Sequence, residues 1–220
     1  MSLTAIALAL LNPVAQHSMG VTKISTKTAA VHINEIVEHS TLPPATIDDL
    51  IHQKSLESEC DAPIVAYPSS GTEYVHYTPR QLDALAARTA AYYSSIIQPR
   101  KSSTDPVQVI GLLGPSNLDY LATLLGITRL GHTVLFLSTR ISEEAYVGLL
   151  QATNATVLLV DPSFAEMGDK VQRRSQLKVE PLCRRADYDC PGVILPSQTS
   201  MSPRRLDSAV ESSNIAWIIH

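Results

Sequence analysis

Val107-Gln108-Val109-Ile110-Gly111-Leu112-Leu113, Thr133-Val134-Leu135-Phe136-Leu137 and Thr156-Val157-Leu158-Leu159-Val160 are the three runs whose reading decides the fold. Each is short, rich in β-branched and aliphatic residues, and lacks the polar alternation of a strand with one wet face, so each reads as a strand buried on both sides. Between the first two, residues 118–130 carry apolar side chains over most of a helical surface and stop at Gly131; between the second and third, residues 142–151 repeat the helical period. The order is βαβαβ. Helices between strands impose right-handed crossovers, and the expected fold class is α/β with a parallel sheet covered on both faces.

Upstream, Thr46 followed by Ile47-Asp48-Asp49-Leu50-Ile51 reads as an N-cap with acidic residues at the positive helix end, opening a helix over 47–56. The β-prone segments 63–67 and 73–77 flank the turn-rich Pro68-Ser69-Ser70-Gly71-Thr72 and predict a hairpin. Thr78-Pro79-Arg80-Gln81 then opens a helix. Thr78 caps it, Pro79 occupies the first turn where its missing N–H costs nothing, and Gln81 closes a capping box. Leu82, Leu85, Ala86, Thr89 and Tyr93 follow on one face. Residues 1–44 lack sustained periodicity and read as an irregular leader ending in Leu42-Pro43-Pro44. Residues 162–213 read as a long, poorly ordered connection of prolines, arginines and serines, and Ile215-Ala216-Trp217-Ile218-Ile219 as a last strand.

Composition narrows the function classes. The 220 residues are 45% hydrophobic and 17% charged, enough for a real core. A net charge of −4 gives no electrostatic footprint for nucleic acid, and the pairs Arg173-Arg174, Arg184-Arg185 and Arg204-Arg205 read as solvated surface. Three cysteines, Cys60, Cys183 and Cys190, without a disulfide framework favour a reducing, cytoplasmic compartment. No run approaches the roughly 18 apolar residues of a membrane span. The seven histidines are scattered singly, so no metal site is expected.

Gly111-Leu112-Leu113-Gly114-Pro115-Ser116-Asn117 lies where a phosphate could meet helix N–H groups, but it lacks the glycine spacing of a dinucleotide fingerprint and the Gly-Lys-Ser/Thr of a P-loop. It reads as a structural turn. Ser69-Ser70-Gly71-Thr72 has no lysine and precedes a strand, so it reads as a hairpin turn. His132, directly after Gly131, reads as a partner of the last helix carbonyls, with a ligand-facing role as the alternative.

The order of elements and two stretches resemble the adenylate-forming superfamily of acyl-CoA synthetases, luciferases and adenylation domains of nonribosomal peptide synthetases. Tyr77-Thr78-Pro79-Arg80-Gln81-Leu82-Asp83 is similar to that family's first core motif, Leu-Thr-Tyr-x-Glu-Leu-Asn, with Pro79 in place of the aromatic. Thr128-Arg129-Leu130-Gly131-His132-Thr133-Val134-Leu135 is similar to the second, Leu-Lys-Ala-Gly-x-Ala-Tyr-Val, with Leu130 departing from the alanine and Ser138-Thr139 from the Pro-Leu-Asp that follows. The wording from Gly131 to Arg140 is closest to the reductase-type branch of the nonribosomal-synthetase-like proteins.

The resemblance covers residues 46–220 and implies the N-terminal subdomain of the adenylate-forming fold, incomplete at the C-terminus. In that family a strand like 215–219 leads into a Ser/Thr/Gly-rich loop with a lysine that holds the ATP phosphates. ATP and magnesium are implied for the full-length family, and no catalytic, cofactor-binding or metal-binding residue is carried onto a position of this sequence. The expectation is therefore a truncated ligase-type chain, inactive alone, whose partners are the downstream part of the adenylation domain or a carrier domain. A non-catalytic interaction module and a small nucleotide-binding α/β protein using the Gly114 turn are the alternatives.

Overall fold

The computed structural model describes residues 44–69, 72–188 and 206–219. The leader expected over 1–44 lies, but for Pro44, outside the described residues. The first helix, α1 (Ile47–Leu56), starts at Thr46, whose hydroxyl accepts from the Asp49 N–H while the Asp49 carboxylate accepts from the Thr46 N–H. The hairpin follows as β1 (Val65–Pro68) and β2 (Tyr74–Tyr77), paired antiparallel. Helix α2 (Pro79–Tyr93) opens at Thr78 with both bonds of the capping box in place.

The βαβαβ unit is β3 (Val109–Leu113), α3 (Leu118–Leu130), β4 (Thr133–Leu137), α4 (Glu143–Ala152) and β5 (Ala155–Val160). Gly131 closes α3 in the left-handed region, φ 86°, where a side chain is strained. Two strand boundaries move by a residue or two from their sequence reading. Val107 stays outside the sheet, 37% exposed, and the sheet begins at Val109.

Residues 162–188 correct the expected loose connection. A 3₁₀ turn (Pro162–Phe164) runs into α5 (Ala165–Ser175), then β6 (Lys178–Pro181) and a short α6 (Arg185–Tyr188). The cause is a narrow apolar stripe. Phe164, Met167, Gly168 and Val171 recur at the helical period and pack on the sheet, with a Cβ on Gly168 only 3.2 Å from Val160. Because the rest of α5 is polar, its composition resembles that of a loop. After residue 205 the chain returns as α7 (Ser208–Glu211) and β7 (Trp217–Ile219).

Five strands form one all-parallel sheet in the order β6-β5-β3-β4-β7. Alternation along the strands splits the core. Ile110, Leu112, Val134, Phe136, Val157 and Leu159 face α2 and α3, while Leu113, Leu135, Leu137, Leu158 and Val160 face α4 and α5. Helices α2 and α3 cross so tightly at Gly126 that a Cβ there would sit 2.9 Å from the Ala90 nitrogen.

Candidate functional site at the carboxyl edge of the sheet

From β3 the chain moves one way to β4 and returns on the other side to β5, so the topological switch point lies between β3 and β5. In open α/β sheets ligands settle in the crevice beyond the strand ends at such a point. Here the crevice is filled from within. The Asp161 N–H donates to the Leu113 carbonyl at 2.8 Å, and a Cβ on Gly114 would lie 2.7 Å from the Asp161 Cβ. The Asp161 carboxylate accepts from the Ser163 N–H at 2.9 Å and from its hydroxyl at 2.5 Å. On the β3 side, the Asn117 side chain takes the Tyr120 N–H at 2.9 Å, Pro115 has no N–H to offer, and the Tyr67 phenol lies nearby. Burial pushes that phenol above its ordinary pKa, so it stays a neutral hydrogen-bonding group.

The second helix N-terminus on this edge is equally committed. Ser142 caps α4 at Ala145, and Glu143 and Glu144 line its first turn and hold Arg174 at 3.1 and 3.0 Å. A carboxylate at the switch point repels an anion, and Asn117 and Ser142 each already accept one of the first-turn N–H groups that an anion would use. These residues do not fit a nucleotide phosphate, and among the described residues no group of three or more His, Cys, Asp or Glu could hold a metal. The Gly114 turn joins β3 to α3 and is packed against Asp161.

His132 is buried, and its backbone N–H donates to the Ile127 carbonyl in the last turn of α3 at 3.2 Å. Its Nδ1 accepts from the Gln108 N–H at 3.2 Å, which makes it the Nε2–H tautomer, and Nε2 then donates to the Gln98 carbonyl at 2.8 Å. It ties two loops together. Cys183 is also buried, beside Thr123 and under the Tyr93 hydroxyl, which accepts from the Cys183 N–H at 2.8 Å; burial pushes the thiol up and keeps it protonated.

Sequence reading missed two buried ion pairs. Arg129, 1% exposed, donates to Asp48 at 2.8 Å and to Asp83 at 2.6 Å, locking α1, α2 and α3 together, and Asp83 also meets His52 at 3.1 Å. Arg100 holds Glu211 through both guanidinium nitrogens at 2.8 and 3.0 Å. The available signal was Arg129 itself, a charge inside an otherwise apolar helix, which must be paired if buried.

The sequence pattern of the AMP-binding enzyme family matches residues 52–220. The chain belongs to that family. A carboxylic acid reductase of Neurospora crassa is 42% identical to this chain over 55 residues, which are 25% of the chain and 5% of the relative. Among solved structures, the chain is similar to the adenylation domain of a carboxylate reductase from Mycobacterium chelonae, with 20% identity, TM-score 0.50, and 71% of this chain and 26% of that one covered. An anthranilate CoA ligase in complex with anthranoyl-AMP gives 18% identity and TM-score 0.50 over 65% of this chain and 26% of that one. These likenesses show the adenylate-forming fold, and this chain spans about a quarter of each of those solved chains.

Proposed function

We propose that this chain forms the N-terminal scaffold of an adenylate-forming ligase, in which a carboxylate attacks the α-phosphate of ATP and pyrophosphate leaves. The observation that carries the reading is the family match across 52–220, laid on an all-parallel sheet with β7 at one edge. In-line attack builds negative charge on the phosphate oxygens, and its stabilisation needs aimed donors and a cation. At this sheet edge Asn117, Ser142 and Asp161 each accept one N–H of a helix start, and the Asp161 carboxylate opposes an anion at the switch point. Phosphate contacts are therefore assigned to residues outside those described, and the chain's own part is to fix the strands that border the site.

The carboxylic acid reductase branch is the finer reading, supported by the 42% identity over 55 residues to the Neurospora crassa enzyme. Partner segments are then the remainder of an adenylation domain and a carrier domain. A cytoplasmic location belongs to the same proposal, supported by the unpaired buried thiols of Cys60 and Cys183. Residues 1–220, mixed with ATP, magnesium and a panel of carboxylic acids, are expected to release no pyrophosphate and to show no micromolar ATP binding by calorimetry. Robust turnover or tight binding would overturn the scaffold reading.

A further inference from the structure

Arg100 is a preformed receptor. Its Nε donates to the Asp105 carbonyl at 3.0 Å, one Nη1 hydrogen to Gly131 at 3.2 Å and one Nη2 hydrogen to Ser103 at 3.0 Å. Its backbone N–H donates to the Leu130 carbonyl at 3.1 Å, so the cation sits on the negative end of α3. The two remaining guanidinium hydrogens form a parallel fork, and Glu211 fills it with both oxygens at 2.8 and 3.0 Å. All five donors are used, and the Arg100 and Glu211 side chains are 2% and 8% exposed.

What Glu211 brings with it is β7. Asp207 caps α7 and donates its N–H to Ser103 at 2.7 Å, which fixes the start of the segment on the same loop as Arg100. Beyond α7, Thr133 donates its hydroxyl to the Ile215 carbonyl, and Val134, Leu135 and Phe136 pair with Trp217, Ile218 and Ile219. Three residues of edge pairing hold register weakly. Ile219 is 71% exposed, and among the described residues no hydrogen-bond partner is found for the buried Trp217 Nε1 or Asn214 Nδ2. Register nevertheless matters, because Trp217 packs into one core and Ile218 into the other, and a one-residue slip would exchange them.

We propose that Arg100 is a positioning residue: through its fork to Glu211 it sets the register of β7, and with it the place from which the chain leaves the carboxyl edge of the sheet. This positioning does not rest on the function proposed above.

The test uses amide hydrogen exchange on residues 1–220, read beside the emission of Trp217, the single tryptophan. In Arg100→Met and Glu211→Leu, exchange of the β7 amides is expected to rise at least about 100-fold, with β3 and β5 within about threefold and Trp217 emission shifted to the red. Arg100→Lys, which keeps the charge without the fork, is expected to fall between parent and Arg100→Met. The double variant Arg100→Met/Glu211→Leu separates positioning from bulk stability, since an apolar pair fills the space and carries no register. It is expected to regain the parent's unfolding midpoint while β7 stays unprotected. Equal acceleration across β3, β5 and β7, an unchanged β7, or a double variant with β7 fully protected would each overturn the proposal. Neither readout requires adenylation, so failure of the ligase reading shows separately, in the pyrophosphate assay.

Discussion

Asp83 lies within hydrogen-bond distance of two partners of different kinds, the Arg129 guanidinium and the His52 ring nitrogen Nδ1. Burial pushes its carboxyl up, but the His52 hydrogen bond and the Arg129 charge outweigh this and hold its pKa below the ordinary 3.8. Asp48, on the same arginine, goes the other way, because its burial outweighs Arg129. The signs therefore oppose. Asp83 contributes stability that is present above the unfolded value of 3.8 and is lost as pH falls through its lower folded pKa; Asp48 contributes stability that is present below 3.8 and is lost as pH rises through its raised pKa. Asp83→Asn is expected to lower stability at pH 6 and to lose less than the parent on acidification below 3.8. Urea unfolding at pH 6 and pH 3 checks it, and an unchanged acid limb would assign acid sensitivity to other carboxylates.

At the scale of elements, helix starts and one helix crossing can be probed separately. Thr78→Ala removes the acceptor for the Gln81 N–H at 3.2 Å and is expected to cost about 0.5–2 kcal/mol, measured as a lower urea midpoint. Gly126→Ala puts a methyl 2.6 Å from the Thr89 hydroxyl and 2.9 Å from the Ala90 nitrogen and the Thr89 carbonyl carbon, backbone atoms that cannot rotate away. Overpacking of this kind costs about 1–3 kcal/mol. Thermal unfolding of the variant checks it, and a midpoint equal to the parent's would mean that the α2–α3 crossing has slack.

At the scale of the whole molecule, Ile215 (65% exposed), Ile219 (71%) and Val210 (42%) form one exposed apolar group among the described residues, on and beside β7, apart from Leu56 and the hairpin residues Tyr74 and Val75. An unpaired, apolar strand edge favours association between chains. Ile215→Ser with Ile219→Ser is expected to leave the unfolding free energy within about 0.5 kcal/mol, since little burial is lost. The same pair is expected to reduce light scattering at high protein concentration, and scattering equal to the parent's would place the sticky surface elsewhere.

Local chemistry was legible because it is local. Thr46, Thr78 and Ser142 cap helices from within three residues, Gly131 ends α3 by its own backbone freedom, and the alternation of apolar runs with helical periods is enough to dictate a βαβαβ unit. The sequence by itself determined the family, the hairpin and the parallel unit. It understated α5, whose stripe of four packing residues is hidden in polar composition. Only the tertiary structure decided which side of β3 each later strand joins, that Asp161 fills the switch point, and that Arg129 and Arg100 find Asp48, Asp83 and Glu211, partners 81, 46 and 111 positions away. A buried charge announces that it needs a partner; which one it meets is settled by the packing that brings distant segments together.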